Sequence, residues 1–180
     1  MDYLCSVRPT VLLFVLLSLG LWPSARAETG CLPFEVLEPE GNYIVPGVMG
    51  AIPYRDSGSG ELLLDAYVHS GAARPGVLVV HGGYWSRGNR RVFVQTLLET
   101  LTRSGLNWVS VDYRPGGQAT LAEQIEDVSA ALTFVRCHSD RLKLRPGSIF
   151  LLGEDTGAYL AARVAAARSA EVAGLVMVGS

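Results

Sequence analysis

The sequence predicts an α/β fold, a mostly parallel sheet with helices on both faces. Three observations carry that expectation. Short, continuous apolar runs recur at Val77–Val80, Trp108–Val111, Ile149–Leu152 and Gly174–Val178, the pattern of strands buried on both faces. Segments with apolar residues at helical spacing lie between them. Strands alternating with helices specify parallel pairing through right-handed crossovers.

Residues 1–27 stand outside that pattern. Arg8 precedes an apolar run, Val11–Trp22, which is too short to cross a bilayer comfortably. Pro23 and Ser24 break it, and Ala25-Arg26-Ala27 has the small-x-small form of a cleavage site. A secretory signal peptide cleaved after Ala27 is the expectation, with an uncleaved anchor as the alternative. The protein is then secreted or periplasmic, with no stable membrane span once the signal is removed. Glu28-Thr29-Gly30 before Cys31 lacks the apolar residue a lipobox needs.

Residues 28–60 show Gly, Pro and polar turns with little periodicity and read as a lead-in; residues 61–180 carry the domain. Glu61–His69 reads as a strand. Arg91–Ser104 reads as a helix on Val94, Leu97, Leu98 and Leu101, with Gly105 where a carboxyl-terminal cap belongs. Thr120–His138 reads as a longer helix. Thr120 and Glu123 form its capping box, and Leu121, Ile125, Val128, Leu132 and Val135 form its apolar stripe. Arg141, Lys143 and Arg145 alternate with leucines as a solvated loop would. An Ala-rich helix runs from about Gly157 to Arg168.

Net charge is −2 over 180 residues, which points to neither nucleic acid nor an anionic membrane as partner. His69, His81 and His138 have no ligand-like spacing to one another or to the cysteines, so neither a metal nor another cofactor is expected. Cys31 and Cys137 remain after cleavage. An oxidising compartment allows a disulfide between them, and two unlinked thiols are the alternative.

Two turns carry chemistry. His81-Gly82-Gly83-Tyr84-Trp85 follows a buried strand, and its glycines allow backbone N–H groups to face a ligand and hold an oxyanion. His81 reads as a residue that fixes this loop, and Trp85 as packing. Gly153-Glu154-Asp155-Thr156-Gly157-Ala158 joins a buried strand to a helix, the context of a nucleophile elbow. Gly153, Gly157 and Ala158 suit its tight turn. Asp155 occupies the nucleophile position, and the Thr156 N–H joins those of Gly83 and Tyr84 as oxyanion donors.

With Leu64-Asp65-Ala66-Tyr67, Val111-Asp112-Tyr113-Arg114 and Glu126-Asp127-Val128, these turns stand in the order and spacing of α/β-hydrolase esterases. From Tyr54 to Ser180 the chain resembles the feruloyl-esterase-like, hormone-sensitive-lipase-like and kynurenine-formamidase-like branches. His81–Trp85 is particularly similar to the formamidases. The resemblance implies an α/β-hydrolase fold and hydrolysis of a small-molecule ester or amide.

Two features depart from that pattern. The family has Gly-x-Ser-x-Gly where this chain has Asp155. The family's acid and histidine follow the elbow, whereas Glu171 comes too early and no histidine follows His138. The expectation is a hydrolase domain carried without its carboxyl-terminal part and inactive as written. A non-catalytic pseudoenzyme or truncated product is the next reading. Aspartate-nucleophile chemistry, as in dehalogenases and epoxide hydrolases, ranks last, because Thr156 stands where those enzymes usually have an aromatic residue.

Overall fold

The computed structural model describes residues 31–38, 43 and 45–179. The proposed signal segment lies outside them. The chain forms β1 (Met49–Asp56), β2 (Glu61–Tyr67), β3 (Arg74–Val80), α1 (Gln95–Arg103), β4 (Asn107–Val111), α2 (Leu121–Cys137), β5 (Leu144–Glu154), α3 (Thr156–Ala167) and β6 (Gly174–Val178). One sheet holds the strands in the order β1-β2-β4-β3-β5-β6. β3, β4, β5 and β6 pair in parallel, whereas β1 and β2 are antiparallel to their neighbours. The structure is the mostly parallel α/β architecture that the sequence predicts.

Alternation along the strands sorts side chains between two cores. Leu78 and Val80 of β3, Val109 and Val111 of β4 and Leu151 of β5 face α2 and α3. Val77 and Val79, with Trp108 and Leu152, face α1. The apolar run of β3 is therefore continuous because each face needs its own residues. α2 begins as expected: the Glu123 N–H donates to Thr120 Oγ1, and the Thr120 N–H donates to the Glu123 carboxylate. Gly105, at φ +73°, follows the end of α1 in the left-handed region.

Three boundaries differ from the sequence reading. The lead-in contains β1, whose five consecutive buried residues, Gly50–Tyr54, show no alternation because bulges interrupt its pairing with β2. α1 starts at Gln95 because Asn89 Oδ1 accepts from the N–H groups of Arg91 and Val92, fixing a turn there. β5 starts at Leu144, so Arg145 is a strand residue with an exposed side chain.

Cys31 and Cys137 form a disulfide with a Cα separation of 6.6 Å, which resolves the alternative the sequence leaves open. It ties the amino-terminal segment to the end of α2. There Phe34 stacks on Phe134 at 6.0 Å, and His138 donates from Nε2 to the Leu32 carbonyl at 2.9 Å. Among the described residues, no helix is long and apolar enough to cross a membrane.

Candidate functional site

β3 and β5 are adjacent and parallel, with Val80 opposite Gly153, so the turns that follow them emerge side by side. Close approach is possible only because the crossing points are glycines. A Cβ on Gly157 would collide with the carbonyl oxygens of Val80 and His81, and one on Gly153 would meet the backbone of Gly157 and Ala158. A Cβ on Gly82 would stand 2.9 Å from the Asp155 Cβ and 3.0 Å from the Glu154 carbonyl oxygen. The motif glycines thus set the distance between the two turns rather than merely making them flexible.

Asp155 sits at the apex between β5 and α3 with φ +49° and ψ −119°, a conformation that L residues rarely adopt. Its N–H donates to the Val178 carbonyl at 2.9 Å, and its own carbonyl accepts from the Ala158 N–H at 3.0 Å. In the facing turn, Gly83, Tyr84 and Trp85 all have positive φ, at +133°, +52° and +66°. That succession turns two N–H groups toward the elbow. Gly83 and Tyr84 donate to Asp155 Oδ2 at 3.3 and 3.2 Å. Burial raises the Asp155 carboxyl pKa. The N–H groups of Tyr84, Gly83 and Thr156 outweigh it and hold the carboxyl below its ordinary value.

The structure brings together Gly82, Gly83, Tyr84, Gly153, Asp155, Thr156 and Gly157. The His81 ring is used differently. It is 1 % exposed, stacks on Tyr113 at 4.3 Å and donates from Nδ1 to the Gly82 carbonyl at 2.7 Å. Trp85 swings outward and meets Tyr159 of α3 edge-on at 5.5 Å. His69 binds the Thr102 carbonyl, so neither it nor His138 belongs to this site.

A second layer braces the first turn. The Tyr113 hydroxyl donates to the His81 carbonyl at 3.0 Å, and the Gly116 N–H donates to the Trp85 carbonyl at 2.5 Å. Gln124 of α2 holds the Arg114 carbonyl at 2.9 Å. Asp127, fully buried, receives the Arg114 guanidinium through Nε and Nη2, both at 2.9 Å, and Arg55 at 2.8 Å. In the inverse arrangement, the one guanidinium of Arg90 bridges two carboxylates, Asp65 at 2.8 Å and Asp112 at 2.6 Å. Asp127 belongs to the Glu126-Asp127-Val128 part of the family pattern, whereas Gln124 stands outside it. Their signal was present: with Ala131 they stand at helical spacing on a face otherwise made of core residues.

Three buried polar atoms among the described residues lack a hydrogen-bond partner: His81 Nε2, Glu154 Oε2 and Thr156 Oγ1. All belong to the two turns. Burial, and then the neighbouring Asp155 charge, push the Glu154 carboxyl above its usual range. No group of His, Cys, Asp and Glu among the described residues is arranged to hold a metal.

A mixed sheet flanked by helices, with two glycine turns at the carboxyl ends of neighbouring parallel strands, places the protein in the α/β-hydrolase superfamily, in its hormone-sensitive-lipase-like branch. The BD-FAE family model matches residues 64–175, and the chain belongs to that family. A probable isoprenylcysteine alpha-carbonyl methylesterase of Arabidopsis thaliana is 28% identical over 146 residues, 78% of this chain and 30% of that protein. A probable carboxylic ester hydrolase of Mycobacterium tuberculosis is 30% identical over 91 residues, 51% of this chain and 21% of that one. Among solved structures, a bacterial heroin esterase superposes with a TM-score of 0.62 at 25% identity, covering 72% of this chain and 42% of that one. An esterase of Pyrobaculum calidifontis gives 0.60 at 28% identity, covering 68% and 40%. The chain therefore spans less than half of each of these relatives.

Proposed function

We propose that this chain carries the nucleophile elbow and oxyanion turn of a carboxylic ester hydrolase, and that Asp155 makes it a non-hydrolytic member of the family. The carrying observation is the convergence of the Gly83 and Tyr84 N–H groups on the side chain at the elbow apex. In the serine route a hydroxyl at that apex attacks the ester carbonyl, and such N–H groups hold the oxyanion that develops. Here the apex bears a carboxylate, and the donors are already engaged by it. A second negative charge developing ~4 Å away costs about 4 kcal/mol at an effective dielectric of ~20. That alone slows the step roughly a thousandfold, before the loss of the nucleophilic hydroxyl.

The ligand class is a small-molecule ester, as the names of the relatives suggest, or an amide, as the likeness of His81–Trp85 to the formamidases implies. We place the protein outside the cytoplasm. The Val11–Trp22 run with its Ala25-Arg26-Ala27 site and the Cys31–Cys137 disulfide both support export. Purified protein is expected to hydrolyse p-nitrophenyl acetate no faster than a heat-denatured control. Turnover abolished in Asp155→Asn would replace the non-hydrolytic reading with carboxylate nucleophilic catalysis. Turnover that survives Asp155→Asn would place the chemistry elsewhere.

A further inference from the structure

The Gly82–Trp85 turn holds a conformation that its own sequence does not favour. Gly83 accommodates φ +133° freely, but Tyr84 and Trp85 follow it at +52° and +66° with bulky side chains. Tyr84 is 63 % exposed, so core packing does not pin it. The carbonyls of the turn are held locally, Gly82 by His81 Nδ1 and Gly83 by the Ser86 and Arg87 N–H groups, and Trp85 meets Tyr159 edge-on. Further polar contacts come from separate parts of the chain. The Gly116 N–H meets the Trp85 carbonyl on one side, and Asp155 Oδ2 meets the Gly83 and Tyr84 N–H groups on the other.

We infer that Asp155 is an internal latch: its carboxylate occupies the N–H cradle of Gly83 and Tyr84 in place of a ligand, holds the turn closed on α3, and excludes external carboxylates and ester carbonyls from the site. This deepens the functional reading above and rests on its assignment of those N–H groups as an anion cradle. A carboxylate suits the cradle because charged acceptors form stronger bonds to backbone N–H groups than neutral ones do. It is also tethered: carried on the elbow itself, it competes with any free anion at a high effective concentration. The small gap between the turns reinforces the closure, since a Cβ on Gly82 would stand 2.9 Å from the Asp155 Cβ and 3.0 Å from the Glu154 carbonyl oxygen. The chemical class that fits the cradle once it is vacated is a small monocarboxylate.

Hydrogen exchange on the full chain tests the latch, with acetate as the probe. The Gly83 and Tyr84 amides should be protected in the parent protein and lose protection on the order of tenfold in Asp155→Ala, as two charge-assisted bonds disappear. Added acetate should restore protection in Asp155→Ala in a saturable manner and leave the parent unchanged. Asp155→Asn keeps an acceptor oxygen and removes only the charge, and it covers the case in which Asp155→Ala fails to fold; its loss should be smaller but measurable. Unchanged protection in the folded variants would overturn the latch, as would equal acetate protection of parent and variant. Neither result depends on ester turnover, which separately tests the functional reading.

Discussion

Replacing Asp127 with alanine should destabilise the protein more than almost any other single change to a polar residue. Its carboxylate is fully buried and accepts from Arg114 Nε, Arg114 Nη2, the Arg114 N–H and Arg55 Nη1 at 2.9, 2.9, 3.2 and 2.8 Å. Arg114 is only 8 % exposed, so truncation leaves a guanidinium in the interior with only the more distant Glu123 carboxylate, at 3.5 Å, as counter-charge. Breaking a buried pair in this way costs about 3–5 kcal/mol. Against a typical total stability of ~5–15 kcal/mol, that is a large share. At ~2–4 °C per kcal/mol for a domain of this size, it lowers the melting temperature by roughly 6–20 °C. Urea denaturation followed by tryptophan fluorescence measures the loss directly. Asp127→Asn should cost less, because it keeps an acceptor for one of the guanidinium bonds. A loss below ~1 kcal/mol in Asp127→Ala, the range of an exposed ion pair, would refute the reasoning.

The remaining predictions concern the turns and the disulfide. Gly157→Ala should lower the urea midpoint by the equivalent of about 3 kcal/mol, the upper range of overpacking, because its Cβ would press on backbone carbonyls that cannot rotate away. Reduction of Cys31–Cys137 should cost about 2–5 kcal/mol, given a sequence separation of 106, and paired melts with and without reductant would read it. His81 should make stability fall on mild acidification. Burial lowers its pKa, against the Gly82 hydrogen bond and the Asp112 charge, so the unfolded chain binds the proton more readily. Its contribution is full above the ordinary histidine value of ~6.5 and is lost as pH drops below it, with a slope of at most about 1.4 kcal/mol per pH unit. Glu154, whose pKa is raised, acts in the opposite sense: its contribution is full below the ordinary carboxyl value and fades as pH rises through its raised one. The His81→Gln variant should therefore flatten a melting profile taken between pH 8 and 5.

Most of the fold was legible because it depends on patterns that local chemistry enforces. The run Val77–Val80 could be read as a strand buried on both faces, and its residues do divide between two cores. The capping box of α2 could be read from two residues at fixed spacing, and it forms. β1 was not legible. Gly50 and Pro53 interrupt the run, and its bulges erase the alternation by which a half-buried strand announces itself. The ion pairs were not legible either. Asp65 meets Arg90 and Arg91 across sequence separations of 25 and 26, and no local rule couples such positions. At the candidate site, the two turns were legible as glycine patterns after buried strands. Their contact through Asp155 was not, because it requires the relative placement of β3 and β5.

That division explains how an aspartate can stand at the elbow without disturbing it. The tight strand-to-helix turn is imposed by Gly153, Gly157 and Gly82, whose missing Cβ atoms let β5, α3 and the first turn interlock. Apart from the Cβ that any non-glycine residue carries, which Gly82 must clear, these constraints involve backbone rather than the side chain at the apex. A residue placed there must tolerate φ +49°, and aspartate is among the non-glycine residues that do so most readily. The N–H groups facing it supply hydrogen bonds to the half-buried carboxylate, so its charge is met where it stands. Folding and ester chemistry therefore place separable demands on the Gly153–Ala158 motif. The glycines serve the first, and the identity of residue 155 serves the second. A glycine pattern in the right strand context is sound evidence for the fold, while activity has to be judged from the one atom at the apex and what it is bonded to.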